Sequence, residues 1–223
     1  MKLPRLHLLA LLGLGMAFVQ GFPGSARGDD LSVNARMLVS ARSGDVAGVT
    51  RALAEGAAVD ARNRLGETVL LIALKGNKPA LALQMIDAGA DVNVAAVNGV
   101  TPLMAAAHAG LVDITKRLLA KGANINAVDR IDKTAMTYAA GQGNTEIVLL
   151  LLKAGADPNA ANAHQLTALM WAAGYGKSDT VQALLAAGAR PDAKDDRGKT
   201  ALDIAKEGKF ADTVALLEKA AGK

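Results

Sequence analysis

The chain has 223 residues, 51% of them apolar, yet only three Phe, two Tyr and one Trp. Abundant Ala and Leu with so few rings point to close-packed helices in one medium domain, and away from an aromatic-rich sheet sandwich. Twenty-five Lys and Arg against 21 Asp and Glu leave +4, with both signs interspersed, which excludes a nucleic-acid footprint. Cysteine is absent, and with it disulfides, thiolate metal ligands, a thiol nucleophile and a lipoprotein anchor.

Lys2 and Arg5 make a short basic start, Leu8 to Val19 is an uncharged run of twelve, and Phe22-Pro23-Gly24-Ser25-Ala26 breaks it with small residues. Residues 1–26 therefore read as a cleaved signal peptide. Cleavage is expected after Ala26, with Gly21 as the alternative, and loss of Lys2 and Arg5 lowers the charge from +4 to +2. The competing reading is a retained helical anchor, but twelve residues fall short of the roughly 20 that a bilayer span needs. The mature protein is expected to be periplasmic or secreted, with a short linker over residues 27–34 and no stable membrane insertion.

From near Asp30 the chain repeats itself. Thr68, Thr101, Thr134, Thr167 and Thr200 stand 33 apart, and so do Gly56-Ala57, Gly89-Ala90, Gly122-Ala123, Gly155-Ala156 and Gly188-Ala189. Two features sharing one period signal a stack of like supersecondary units. Within one unit, Thr101-Pro102-Leu103 opens a helix with Pro in its first turn, and Gly110 ends it. Leu111 to Leu119 is a second helix, with Ile114, Leu118 and Leu119 on its apolar side and Gly122 closing it in a left-handed turn. A turn-rich extension to Lys133 completes the unit as helix, turn, helix, protruding β-hairpin. The expected fold class is all-α: a capping helical pair at 35–58, internal repeats near 63–95, 96–128, 129–161 and 162–194, and a capping repeat at 195–221.

With Asn98-Gly99-Val100-Thr101-Pro102-Leu103 and Leu118-Leu119-Ala120-Lys121-Gly122-Ala123-Asn124-Ile125-Asn126-Ala127, the chain resembles an ankyrin-repeat protein from about Leu38 to Lys219. Thr167-Ala168-Leu169-Met170-Trp171-Ala172-Ala173 is similar to exported bacterial members in particular. The resemblance implies a solenoid of about six units that binds a partner protein through a concave groove of first helices and hairpin tips, as a monomer. It also implies, as the alternative, an exported effector or a stabilising factor for an envelope enzyme. Departures exist: only Pro102 keeps the family's Thr-Pro-Leu, and Leu71, Met104, Thr137, Met170 and Asp203 stand where the family has His. Polar bridging between repeats is therefore expected to be reduced.

No catalytic residue, cofactor site or metal site is expected. His108 and His164 have no second ligand at helical spacing, and no Ser sits in a Gly-x-Ser-x-Gly elbow. Asp91-x-Asn93, Asn124-x-Asn126 and Asp157-x-Asn159 lack the glycine and terminal Glu of a calcium loop, so these Asx residues read as turn-formers bonding their own backbone.

The candidate partner-binding residues follow from the register. Leu65, Val97, Val100, Ile131, His164 and Leu166 fall on hairpin tips; apolar side chains there form either an adhesive stripe or contacts between hairpins. Tyr138, Trp171 and Tyr175 bring every Tyr and Trp into two adjacent repeats, with His108 and Gln142 at the matching ends of first helices. Trp171 and Tyr175, four apart, share a helical face. Clustered amphipathic rings are typical interface anchors.

Overall fold

The computed structural model describes residues 31–222, so the expected signal peptide (1–26) and residues 27–30 of the expected linker lie outside the described residues. Twelve α-helices follow in six pairs: α1 (Val33–Ser43) with α2 (Val46–Ala54), α3 (Val69–Lys75) with α4 (Pro79–Asp87), and α5 (Pro102–Ala109) with α6 (Val112–Ala120). Then come α7 (Ala135–Gln142) with α8 (Thr145–Lys153), α9 (Ala168–Gly174) with α10 (Ser178–Ala186), and α11 (Ala201–Glu207) with α12 (Ala211–Ala221). Helix α1 starts two residues ahead of Ala35, because the Ser32 hydroxyl caps it by accepting the Ala35 N–H.

The 33-residue threonine period has a simple cause. Each threonine is a helix N-cap whose hydroxyl accepts the backbone N–H three residues on, at Leu71, Met104, Thr137, Met170 and Asp203, at 3.2–3.3 Å. Thr137 and Asp203 answer with their own side chains on the N–H of Thr134 and Thr200, at 2.9 Å each.

The first helices α1, α3, α5, α7, α9 and α11 pack in sequence as one layer, and α4, α6, α8, α10 and α12 as a second. Ala106, Ala107, Ala139, Ala140, Ala172 and Ala173 are fully buried in the first layer, and their small side chains let those helices approach closely. Between the layers runs a buried row at one period: Met85, Leu118, Leu151, Leu184 and Leu217.

The hairpins do not become β-structure. Among the described residues no strand forms, and the isolated bridge is Ala161 to Thr167. Each hairpin instead closes at its base on a backbone bond, Asn63 N–H to Glu67 C=O (3.0 Å), Ala96 to Val100 (3.0 Å), Asp129 to Lys133 (3.0 Å), Asn162 to Leu166 (3.0 Å) and Asp195 to Lys199 (2.9 Å), with a second backbone bond across the turn. The carboxylate of Asp129 also accepts the N–H groups of Ile131 and Lys133 at 2.9 Å, and Asp195 does the same for Arg197 and Lys199. The arms are too short for a ladder, and at Asp129 and Asp195 one Asx side chain also ties the base of the loop.

Polar bridging between repeats, expected to be reduced without the family's His, is carried here by other side chains. Asp91, Asn124 and Asp157 do bond their own turns, at 2.8–2.9 Å to the N–H two residues on. The second Asx of the turn then reaches into the next repeat: Asn93 accepts the Asn124 N–H (2.8 Å) and donates to the Gly122 C=O (3.2 Å). Asn159 does the same with Arg190 (2.8 Å) and Gly188 (3.1 Å). The second layer carries its own links, among them Thr145 to Thr180 (2.7 Å) and Ser178 to Thr213 (2.9 Å). Neighbouring hairpins join through Val97 N–H to Leu65 C=O (2.9 Å), Arg130 to Asn98 (3.0 Å) and Asp196 to His164 (3.0 Å).

Candidate functional site

Tyr138 and Trp171 hold one register on α7 and α9, the register that Ala105 holds on α5, and Tyr175 follows the last residue of α9 as its C-cap. The Trp171 and Tyr175 rings stack at 6.1 Å with 12° between planes. His108 meets the edge of Tyr138 at 5.8 Å and 78°, and Gln142 Nε2 lies 3.1 Å from His108 Nε2. Five of the sequence-predicted residues thus form one contiguous surface. Tyr175 is the most open of the Tyr and Trp rings, 57% exposed, while Tyr138 and Trp171 are half-buried.

Two further residues complete the cluster. Lys133, the last hairpin residue before the Thr134 cap, places Nζ 3.8 Å over the Trp171 ring and 5.7 Å from the Tyr138 centroid. Asp129, buried at the hairpin base, accepts the Tyr138 hydroxyl at 2.7 Å. Burial, and then the Asp129 carboxylate holding its proton, push Tyr138 up to about 12. The hydroxyl is therefore a fixed donor that locks the ring against the hairpin. Both residues carry a sequence signal: Asp129 shares its register with Asn63 and Asp195, and Lys133 with Val100 and Leu166.

The remaining predicted residues divide. Leu65, Val97 and Ile131 are 57–59% exposed at the tips, whereas Val100 and Leu166 are half-buried against the core. His164 stands apart from the rings: it sits in a short 3₁₀ turn (Ala163–Gln165) with φ 64°, and its Nδ1 lies 2.6 Å from Asp196 Oδ2 on the next hairpin. Between Tyr138 and the preceding repeat opens a cavity of about 310 Å³, walled by Leu74, Met104, Ala105, His108 and Tyr138.

Among the described residues no three His, Cys, Asp or Glu side chains gather as a metal site, and no helix is long and apolar enough to cross a membrane. What the geometry offers is a ring-lined surface on a stack of helical pairs.

Six like helical pairs, tied by caps and stacked in two layers, define a helical repeat solenoid. A family profile described as "Ankyrin repeats (3 copies)" matches residues 37–129, 70–162 and 138–222. The chain belongs to the ankyrin-repeat family. No curated protein matches it. Ankyrin repeats are in general protein–protein interaction modules and typically non-catalytic.

Proposed function

We propose that this chain is a non-catalytic binding module of the bacterial periplasm that holds a partner protein on the surface formed by Tyr138, Trp171, Tyr175, His108 and Gln142, with the apolar hairpin tips as flanking contacts. The observation that carries this is the gathering of every Tyr and Trp of the chain onto one partly exposed patch. Interface energy concentrates in a few such residues, and large rings anchor at low entropic cost. Export rests on the basic start, the apolar run Leu8–Val19 and the small residues before Arg27.

Affinity capture from the periplasmic fraction, followed by mass spectrometry and titration of the captured partner, tests both parts. Tyr175→Ala is expected to weaken that partner by about 1–3 kcal/mol, the range of an interface anchor, with the melting curve unchanged. Substitution of Lys116, Lys121 and Lys153, exposed on the second-helix layer, is expected to have no effect. A partner that ignores the rings and responds to these lysines places binding on the opposite face. N-terminal sequencing that finds Met1 retained in a membrane pellet refutes the export reading.

A further inference from the structure

The first-helix register that carries Tyr138 and Trp171 holds Ile72, Ala105, Tyr138, Trp171 and Ile204 in successive repeats. Four are large and one is small. The cavity of about 310 Å³ lies where the small one, Ala105, leaves room, with Tyr138 as one wall and Leu74 and Met104 beneath. An apolar cavity of about 150 Å³ already accepts a benzene ring, so the space suffices for a leucine or aromatic side chain from outside.

Beside this cavity two cations stand outside any ion pair among the described residues. Lys75 at the rim is paired with Glu67 at 2.5 Å. The carboxylate of Asp129 is taken by the Tyr138 hydroxyl and two backbone N–H groups. Asp132 lines a different depression, with Asn126 and Thr134. Lys133, held over Trp171, has no carboxylate within ion-pair distance among the described residues, and neither has its exposed neighbour Arg130. Arg130 is fixed to the cavity rim by its backbone bond to Asn98.

From this juxtaposition we propose that the site takes an acidic protein segment: a large apolar side chain fills the cavity over Ala105, and a carboxylate within three residues of it pairs with Lys133. The spacing follows from reach, since the ammonium lies 5.7 Å from the ring that walls the cavity and an extended segment advances about 3.3 Å per residue. The indole face holds the ammonium in place before the segment arrives, which lowers the ordering cost of the ion pair. This inference rests on the protein-binding reading of the same surface and adds the chemistry of what binds.

The test uses a random dodecapeptide display library selected on the full chain, with emission of Trp171, the chain's single tryptophan, as the readout for the peptides recovered. Enriched peptides are expected to carry Leu or an aromatic residue within three positions of Asp or Glu and to change Trp171 emission on binding. Ala105→Leu, which fills the cavity, and Lys133→Glu are each expected to weaken them at least tenfold, with circular dichroism checking the fold. Replacing the peptide's acidic residue by Lys is expected to restore binding to the Lys133→Glu variant. Failure to enrich any peptide, or enrichment of basic or uncharged ones, overturns the proposal. If the peptides bind, lose affinity in Tyr175→Ala, and ignore both Ala105→Leu and Lys133→Glu, the protein-binding surface stands and the acidic-segment inference falls. Indifference to all three variants refutes both.

Discussion

Gly99 and Gly198 occupy the same turn position three periods apart, with nearly the same left-handed backbone, φ +82° and +76°. Their surroundings differ. A Cβ on Gly99 would lie 2.8 Å from the Asp129 Cα and 3.1 Å from the Arg130 N, both backbone atoms of the next hairpin, whereas a Cβ on Gly198 meets nothing within 4 Å. Alanine at Gly198 therefore carries the left-handed strain alone, about 1–2 kcal/mol. Alanine at Gly99 adds displacement of the neighbouring hairpin and its Asn98–Arg130 bond, a net loss of about 0.5–1.5 kcal/mol, plus lost packing. The expected totals are about 1–2 kcal/mol for Gly198→Ala and about 2–4 kcal/mol for Gly99→Ala. At about 2–4 °C per kcal/mol for a domain of this size, the two variants should differ in Tm by several degrees. Thermal and urea unfolding followed by far-UV circular dichroism measure this directly. Equal losses for the two variants would show that the hairpins do not pack on one another and would refute the stacking argument.

Leu118→Ala, at a fully buried position in the inter-layer row, is expected to cost about 2–5 kcal/mol in urea unfolding, and a loss below about 0.5 kcal/mol would contradict the register. Asn159→Ala removes two bonds into the next repeat and should cost about 1–3 kcal/mol, most visibly as earlier loss of the C-terminal units in hydrogen exchange. Tyr138, whose proton is held up to about 12, contributes stability that is complete below pH 10 and declines as pH rises from 10 toward 12. Urea midpoints across that window should fall more steeply for the natural chain than for Tyr138→Phe, and parallel curves would rule out the Asp129 lock.

Much of the architecture was legible because its causes are local and repeat. A threonine that caps a helix and a glycine at the close each act within four residues, so a 33-residue period in these two types fixes helix starts and ends before any packing is known. The pairing of Tyr138 with Trp171 was legible for the same reason, since equal register places side chains on one face, whereas Tyr175 lies past the end of α9 and reaches Trp171 from its C-cap. Other features depended on what stands next to what. Nothing local separates Asn93 and Asn159 from ordinary turn residues; they become inter-repeat bridges because stacking brings the N–H groups of Asn124 and Arg190 to their side chains. The hairpins lack strands because their arms are too short for a ladder, at Ala96 to Val100 as at Asp129 to Lys133, where the Asx side chain also takes two N–H groups. Lys133 looked like one charged tip residue among several, and only the placement of α9 beside its hairpin puts its ammonium over Trp171. Ala105 is one alanine in a run of three; it marks a cavity only because Tyr138 stands beside it in the folded stack.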